Sequence, residues 1–248
     1  MKHFCYIHRN IFPLTMAEHT TQSPEFSSHS DPPSDLKTRL KDSYDAIASQ
    51  YNEWTIPHST TRLHFLDQLL NRLPITTTSV LELGCGHGVP VTQKLLSHPN
   101  FTVTANDLSS AQIALARNTL LPNHRLTLLE GDMLALNFPL ATFDAIVAMY
   151  SIIHLPRGEQ VEMLRKIVAW LKPGGWLLAN FGAEEVVGAE AREWLGEEKG
   201  WMFWSGWGEE GTLNKIKEAG LEVFVRETRD DEVDDARFLW VLAQKSDE

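Results

Sequence analysis

Three glycines at alternate positions, Gly84, Gly86 and Gly88, follow directly on the apolar run Val80–Leu83. A backbone with no Cβ can turn sharply and lets a ligand come closer than a side chain would allow. The segment Leu81-Glu82-Leu83-Gly84-Cys85-Gly86-His87-Gly88 reads as a strand end, a tight loop and the opening of a helix, with Pro90 tolerated in that helix's first turn. In an open parallel sheet such a loop lies beyond the carboxyl ends of the strands, where ligands bind. A dinucleotide fingerprint, G-x-G-x-x-G/A, would put a third small residue at position 89, and Val89 stands there instead. The spacing present is E-x-G-x-G-x-G.

The rest of the chain alternates around this loop. Val80–Leu83, Phe101–Asn106, Arg125–Leu129, Phe143–Tyr150, Trp176–Phe181, Leu221–Glu227 and Phe238–Ala243 are short β-branched or aromatic runs that predict strands. Helical patterns at about 89–97, 110–120, 157–171 and 210–219 separate most of them. Ser109 with Gln112 forms a capping box before the second of these helices, and Gly220 is placed to stop the last. Such alternation predicts an α/β fold, a Rossmann-like doubly wound seven-stranded sheet with helices on both faces. The last two strands are joined only by the polar turn Asp230–Asp235, so they should form an antiparallel C-terminal edge hairpin on an otherwise parallel sheet. Upstream, Leu36, Leu40, Tyr44, Ile47 and Tyr51 recur at helical spacing, and a second helix fits Thr60–Arg72, closed by Pro74.

Composition sets the limits. Residues 13–34 are dominated by Ser, Thr and Pro, and residues 1–34 are expected to be a disordered tail, with residues 35–248 as a single domain. The first 15 residues lack the Arg and Ser richness of a transit peptide and the apolar core of a secretory signal, and Met16 offers a second start. No apolar run reaches the roughly 18–20 residues of a membrane span. Cys5 and Cys85 are too few for a disulfide framework or a zinc cluster, so no metal site is expected and a cytoplasmic, reducing setting fits. Of the net charge of −11, residues 184–235 supply most, with 16 acidic and 6 basic side chains. An acidic surface repels nucleic-acid backbones and anionic membranes, leaving a small molecule as the expected partner.

The glycine loop and four later segments, in register, resemble the class I S-adenosylmethionine-dependent methyltransferases over residues 43–245. The four are Asn106-Asp107-Leu108-Ser109, Gly131-Asp132-Met133, Phe143–Tyr150 and Leu171-Lys172-Pro173-Gly174-Gly175-Trp176. The resemblance implies that Asp107 meets the ribose hydroxyls of S-adenosylmethionine, a task a carboxylate suits because it accepts from both at once. It likewise implies Asp132 at the adenine amino group, with Met133 covering the ring. Glu82, Gly84, Cys85, Gly86, Leu108, Met149 and Tyr51 complete the implied cofactor set. Pro173-Gly174-Gly175 is turn chemistry of the fold. The first helices, residues 35–73, resemble a lid over the cofactor, in which Tyr44 or Tyr51 could also meet the acceptor.

Methyl transfer asks mainly for positioning, because the sulfonium is already activated, and a base helps where the nucleophile must lose a proton. His154, in Ser151-Ile152-Ile153-His154-Leu155-Pro156, is the candidate base, since similar small-molecule methyltransferases often carry a histidine there; capping or wall-filling is its structural alternative. The segment 182–208 is expected to be a substrate insert, because Trp194, Trp201, Phe203, Trp204 and Trp207 crowd into it, out of eight tryptophans in the chain. Aromatic walls suit a planar or hydrophobic metabolite, or a cationic amine. Tyr44, Tyr150, Met202 and Trp204 are the expected acceptor contacts. The competing functions are a non-catalytic cofactor-binding module, a macromolecule methyltransferase and an NAD-dependent oxidoreductase, the last disfavoured by Val89.

Overall fold

The computed structural model describes residues 27–28, 31–74, 76–231 and 236–247. Ser27–Ser28 form a short strand, β1, before α1 (Leu36–Thr55) and α2 (Thr60–Leu70). There follow β2 (Thr78–Leu83), α3 (Val91–Leu96), β3 (Phe101–Asp107), α4 (Ser110–Leu120), β4 (Leu126–Glu130) and β5 (Phe143–Ala148). After α5 (Arg157–Trp170) and β6 (Leu171–Gly182) come β7 (Glu185–Arg192) and β8 (Trp201–Trp207). The chain closes with α6 (Gly208–Glu218), β9 (Leu221–Asp230) and β10 (Arg237–Lys245).

Seven strands form one sheet in the order β4-β3-β2-β5-β6-β10-β9. The first five are parallel to one another, and β10 runs antiparallel to both β6 and β9, as expected for the edge hairpin. The chain winds outward from β2 through β3 to β4, then returns to β5 on the other side of β2. The crevice at the carboxyl ends of β2 and β5 is therefore the switch point of the sheet.

Strand side chains alternate between the two faces. Val80, Val103, Ala105 and Val147 face Phe65 and Leu69 of α2, Leu95 of α3 and Ile113 of α4. Leu81, Leu83, Ile146 and Ala148 face Met163 and Ile167 of α5 and Ile216 of α6. A third cluster joins Leu36, Leu40 and Ile47 of α1 to Trp201, Met202 and Phe203 of β8, so the insert and the first helix bury each other. No helix among the described residues is long and apolar enough to cross a membrane.

Several details depart from the sequence expectation. The segment 182–208 holds a β-hairpin, β7 antiparallel to β8, which with β1 makes a second, three-stranded sheet. Order reaches back into the segment expected to be disordered. Ser27–Ser28 pair with Glu190 and Ala189 of β7, through backbone bonds that need no apolar pattern, while residues 1–26 and 29–30 lie outside the described residues. Strand β5 stops at Ala148 because Tyr150 takes a left-handed φ of 53°. Strand β6 begins at Leu171, and the four residues before Trp176 loop out of register, in keeping with turn chemistry at Pro173–Gly175.

Candidate active site

The glycine loop is tied to the end of β3. The N–H groups of Gly84 and Cys85 both donate to the carbonyl of Asn106, at 2.8 and 2.9 Å, and Gly86 N donates to Asp107 Oδ2 at 2.7 Å. Gly84 has a φ of +74°, and a Cβ there would collide with Ser151. Gly86 has a φ of +57° and opens onto Gln112. Glycine avoids backbone strain at both positions, and at Gly84 it avoids a clash as well.

Asp107 is held from two sides, since Oδ1 accepts Ser109 N at 2.9 Å while Oδ2 accepts Gly86 N. Burial pushes its carboxyl up to about 6, against the pull of the Ser109 and Gly86 N–H groups. Above that pH it is an anion with accepting capacity left on both oxygens. Asp132 is also partly structural, because its Oδ1 caps the helical turn Met133–Ala135 by accepting Leu134 N at 3.0 Å. Lys37 of α1 lies 3.5 Å from the same oxygen and 2.6 Å from Glu159.

Gly84, Gly86, Asp107, Leu108, Asp132, Met133 and Met149 line one pocket, together with Tyr44, Tyr51, Tyr150 and His154. Two of the expected cofactor contacts do not line it. Glu82 lies behind the loop, 4% exposed, and accepts the Thr92 hydroxyl at 2.5 Å. Burial raises its carboxyl to about 8, the Thr92 bond opposes this, and the charge of Asp107 adds to it. Cys85 is buried in the apolar core beneath the loop, where burial holds its thiol well above the ordinary range. The motif spacing places both residues at the loop but says nothing about which side their side chains take.

Sequence reasoning missed Lys37, Asn106, Gln112, Ser151 and Leu155, which also line the pocket. The sequence marks Gln112 only as a capping residue. Its backbone N–H does bond Ser109 Oγ at 3.1 Å, but its side-chain oxygen accepts Asn52 Nδ2, also at 3.1 Å. That leaves Gln112 Nε2 buried without a partner, as is Ser151 Oγ. Orphaned polar atoms in a pocket wall mark places where a polar ligand has something to satisfy.

The acceptor side is built around His154. Its Nδ1 lies 2.8 Å from the carbonyl of Phe203 and its Nε2 lies 2.9 Å from the Tyr44 hydroxyl. Burial lowers the imidazole to about 4, despite the opposing Phe203 bond and with a further push from Lys37. The residues 202–205 thus reach the site through a backbone carbonyl. Met202 is fully buried under α1 and does not line the pocket, because its strand face meets α1 and leaves no route to the crevice. Trp204 does not line it either; its ring stands behind His154, with centroids 6.2 Å apart, and against Trp194 at 6.3 Å. The insert is pinned in place by Ser205 Oγ donating to Leu155 O at 2.6 Å and by Gln160 Nε2 donating to Ser205 O at 2.9 Å. Tyr150 closes the far wall, its hydroxyl donating to Asp231 at 3.1 Å and its ring lying 4.5 Å under the guanidinium of Arg62.

Residues 80–175, which run from β2 to the start of β6, match the family described as a methyltransferase domain. The matched segment holds the glycine loop, Asp107 and Asp132. Over 126 residues it is 34% identical to the carboxy-S-adenosyl-L-methionine synthase of Chromohalobacter salexigens, covering 48% of this chain and 44% of that one. Over 184 residues it is 29% identical to the ubiquinone biosynthesis O-methyltransferase of Xylella fastidiosa, covering 60% and 72%. A likeness in fold extends beyond the matched segment. The chain is similar to the crystal structure of Burkholderia thailandensis 1,6-didemethyltoxoflavin-N1-methyltransferase with bound 1,6-didemethyltoxoflavin and S-adenosylhomocysteine. That likeness has a TM-score of 0.70 at 16% identity and covers 93% of this chain and 99% of that one. The chain spans less than half the length of the Chromohalobacter relative.

Proposed function

We propose that this protein is an enzyme that transfers the methyl group of S-adenosylmethionine to a small-molecule acceptor, with a hydrophobic or planar metabolite as the preferred class. The observation that carries the reading is Asp107. It is fixed by the Gly86 and Ser109 N–H groups at the switch point of the sheet, in one pocket with Asp132 and the glycine loop. The pocket suits the cofactor chemically. Asp107 offers two acceptor oxygens for a ribose, Leu108 and Met133 offer apolar walls for a flat base, and Gln112 Nε2 and Ser151 Oγ offer unmatched polar atoms. When bound, S-adenosylmethionine supplies an activated methyl group on a sulfonium.

The contribution of the chain is then positioning and exclusion of water. Helix α1 lies across the crevice, held to α4 through Asp45, whose Oδ1 accepts Ser109 Oγ at 2.6 Å and Ala111 N at 2.9 Å. Tyr44, Tyr51 and His154 shape the acceptor side. A neutral His154 is a weak base, so it serves by orienting Tyr44 rather than by storing a proton. The acidic insert and C-terminal region disfavour nucleic acid as substrate. The test is untargeted mass spectrometry of a metabolite extract incubated with the full-length protein and methyl-labelled S-adenosylmethionine. A labelled small molecule formed only with active protein is expected; cofactor binding with no labelled product would favour the non-catalytic module.

A further inference from the structure

We infer that Tyr44 receives the acceptor, and that the acceptor binds by donating an N–H or O–H to the Tyr44 hydroxyl oxygen. The inference rests on the methyltransferase reading and names the substrate class of that same pocket.

It follows from a chain of two hydrogen bonds whose directions are fixed by chemistry. A carbonyl oxygen can only accept, so the 2.8 Å contact between His154 Nδ1 and Phe203 O requires the hydrogen to sit on Nδ1. Burial keeps the ring neutral, so Nε2 is bare and can only accept. Its partner at 2.9 Å is the Tyr44 hydroxyl, which must therefore donate. Burial also holds the Tyr44 phenol well above its ordinary range, so that hydrogen is present. With its one hydrogen committed to His154, Tyr44 shows the pocket nothing but lone pairs. Both residues line that pocket, beside Ser151 and Leu155.

The ring of Tyr44 has little freedom to turn away. It meets Tyr51 edge-on at 5.5 Å, Trp194 at 6.5 Å and His154 at 5.7 Å. The insert sets this arrangement, since β8 supplies the Phe203 carbonyl and the segment after β7 supplies Trp194. An amine, phenol, enol or alcohol can give Tyr44 the hydrogen it lacks, and in doing so turns the lone pair of its own heteroatom. An acceptor without such a hydrogen, such as an ether, a thioether or an isolated alkene, leaves the Tyr44 lone pairs desolvated with no donor to meet them.

The experiment uses full-length protein saturated with S-adenosylhomocysteine and ligand-observed NMR titrations of matched probes. The pairs are 4-methylphenol with 4-methylanisole, and 4-methylaniline with N,N-dimethyl-4-methylaniline. The donor of each pair is expected to bind at least about fivefold tighter. Tyr44→Phe keeps the ring and should bring each pair to within about twofold, with S-adenosylhomocysteine affinity unchanged. His154→Phe leaves Tyr44 in place but frees its hydrogen, so 4-methylanisole should then bind as well as 4-methylphenol; a merely structural His154 would not produce this crossover. Either variant that keeps the wild-type melting temperature suffices. Absence of donor preference in the wild type, whether both members bind or neither does, overturns the inference, as does a preference that survives Tyr44→Phe. Failure to bind S-adenosylhomocysteine would instead overturn the methyltransferase reading.

Discussion

The carboxylate of Asp45, on α1, accepts the backbone N–H of Ala111 in the first turn of α4 at 2.9 Å. One helix thus caps another, and an anion at a helix N-terminus is doubly favoured by the unpaired N–H groups and the dipole there. The same carboxylate holds Ser109 and Lys41. Asp45→Ala should cost about 1–2 kcal/mol of stability. Because these bonds fasten α1 over the pocket, amide hydrogen exchange along Leu36–Thr55 should speed up more than in the sheet. Unchanged exchange in α1 would show that its apolar stripe alone holds it.

His154 makes stability depend on pH with a definite sign. Burial lowers its pKa from 6.5 to about 4 in the folded protein. Between those values the unfolded chain binds a proton that the native state refuses, so stability falls as pH drops through the window. From pH 6.5 to 5 the loss is about 2 kcal/mol from this residue. His154→Gln should flatten that part of the curve by the same amount in denaturant titrations. Parallel curves for the two proteins would mean the imidazole is not held neutral.

Glu82 works in the opposite direction. Burial raises its carboxyl from 4.5 to about 8, so the native state keeps a proton that the unfolded chain has lost, and stability falls as pH rises through that range. Glu82→Gln should match the wild type at about pH 4 and exceed it by roughly a few kcal/mol above pH 8. Since Glu82 does not line the pocket, cofactor affinity should stay within about twofold. A hundredfold loss of affinity in a folded variant would return Glu82 to the binding set.

Met202 separates core from site. It is fully buried among Leu36, Leu40 and Trp201, so Met202→Ala should cost about 2–5 kcal/mol. Thermal melting checks this directly. A wild-type melting temperature with impaired acceptor binding would restore Met202 as a substrate contact.

Much of this was legible in the sequence because the sheet rests on local patterns. Short β-branched or aromatic runs and glycine-punctuated turns mark most strands of the main sheet, and the register of Gly84, Asp107 and Asp132 marks the proposed cofactor side. The hairpin of the insert was not legible, because β7 has only Val186 and Val187 as β-branched residues among Gly, Ala and charged side chains. Period two also could not assign Met202 and Trp204 to pocket or core, since that depends on where α1 lies. Gln112 and Ser151 carry their meaning in unsatisfied atoms, and these appear only once every neighbour is placed.

The most direct test of the account is isothermal calorimetry of the full-length protein with S-adenosylhomocysteine and with NAD, repeated on Asp107→Ala. The wild type should bind S-adenosylhomocysteine and not NAD. Loss of the paired ribose acceptors should weaken that binding by about 1.5–3 kcal/mol, or roughly ten- to hundredfold. Micromolar binding of NAD with none of S-adenosylhomocysteine, or an affinity untouched by Asp107→Ala in a folded protein, would contradict it.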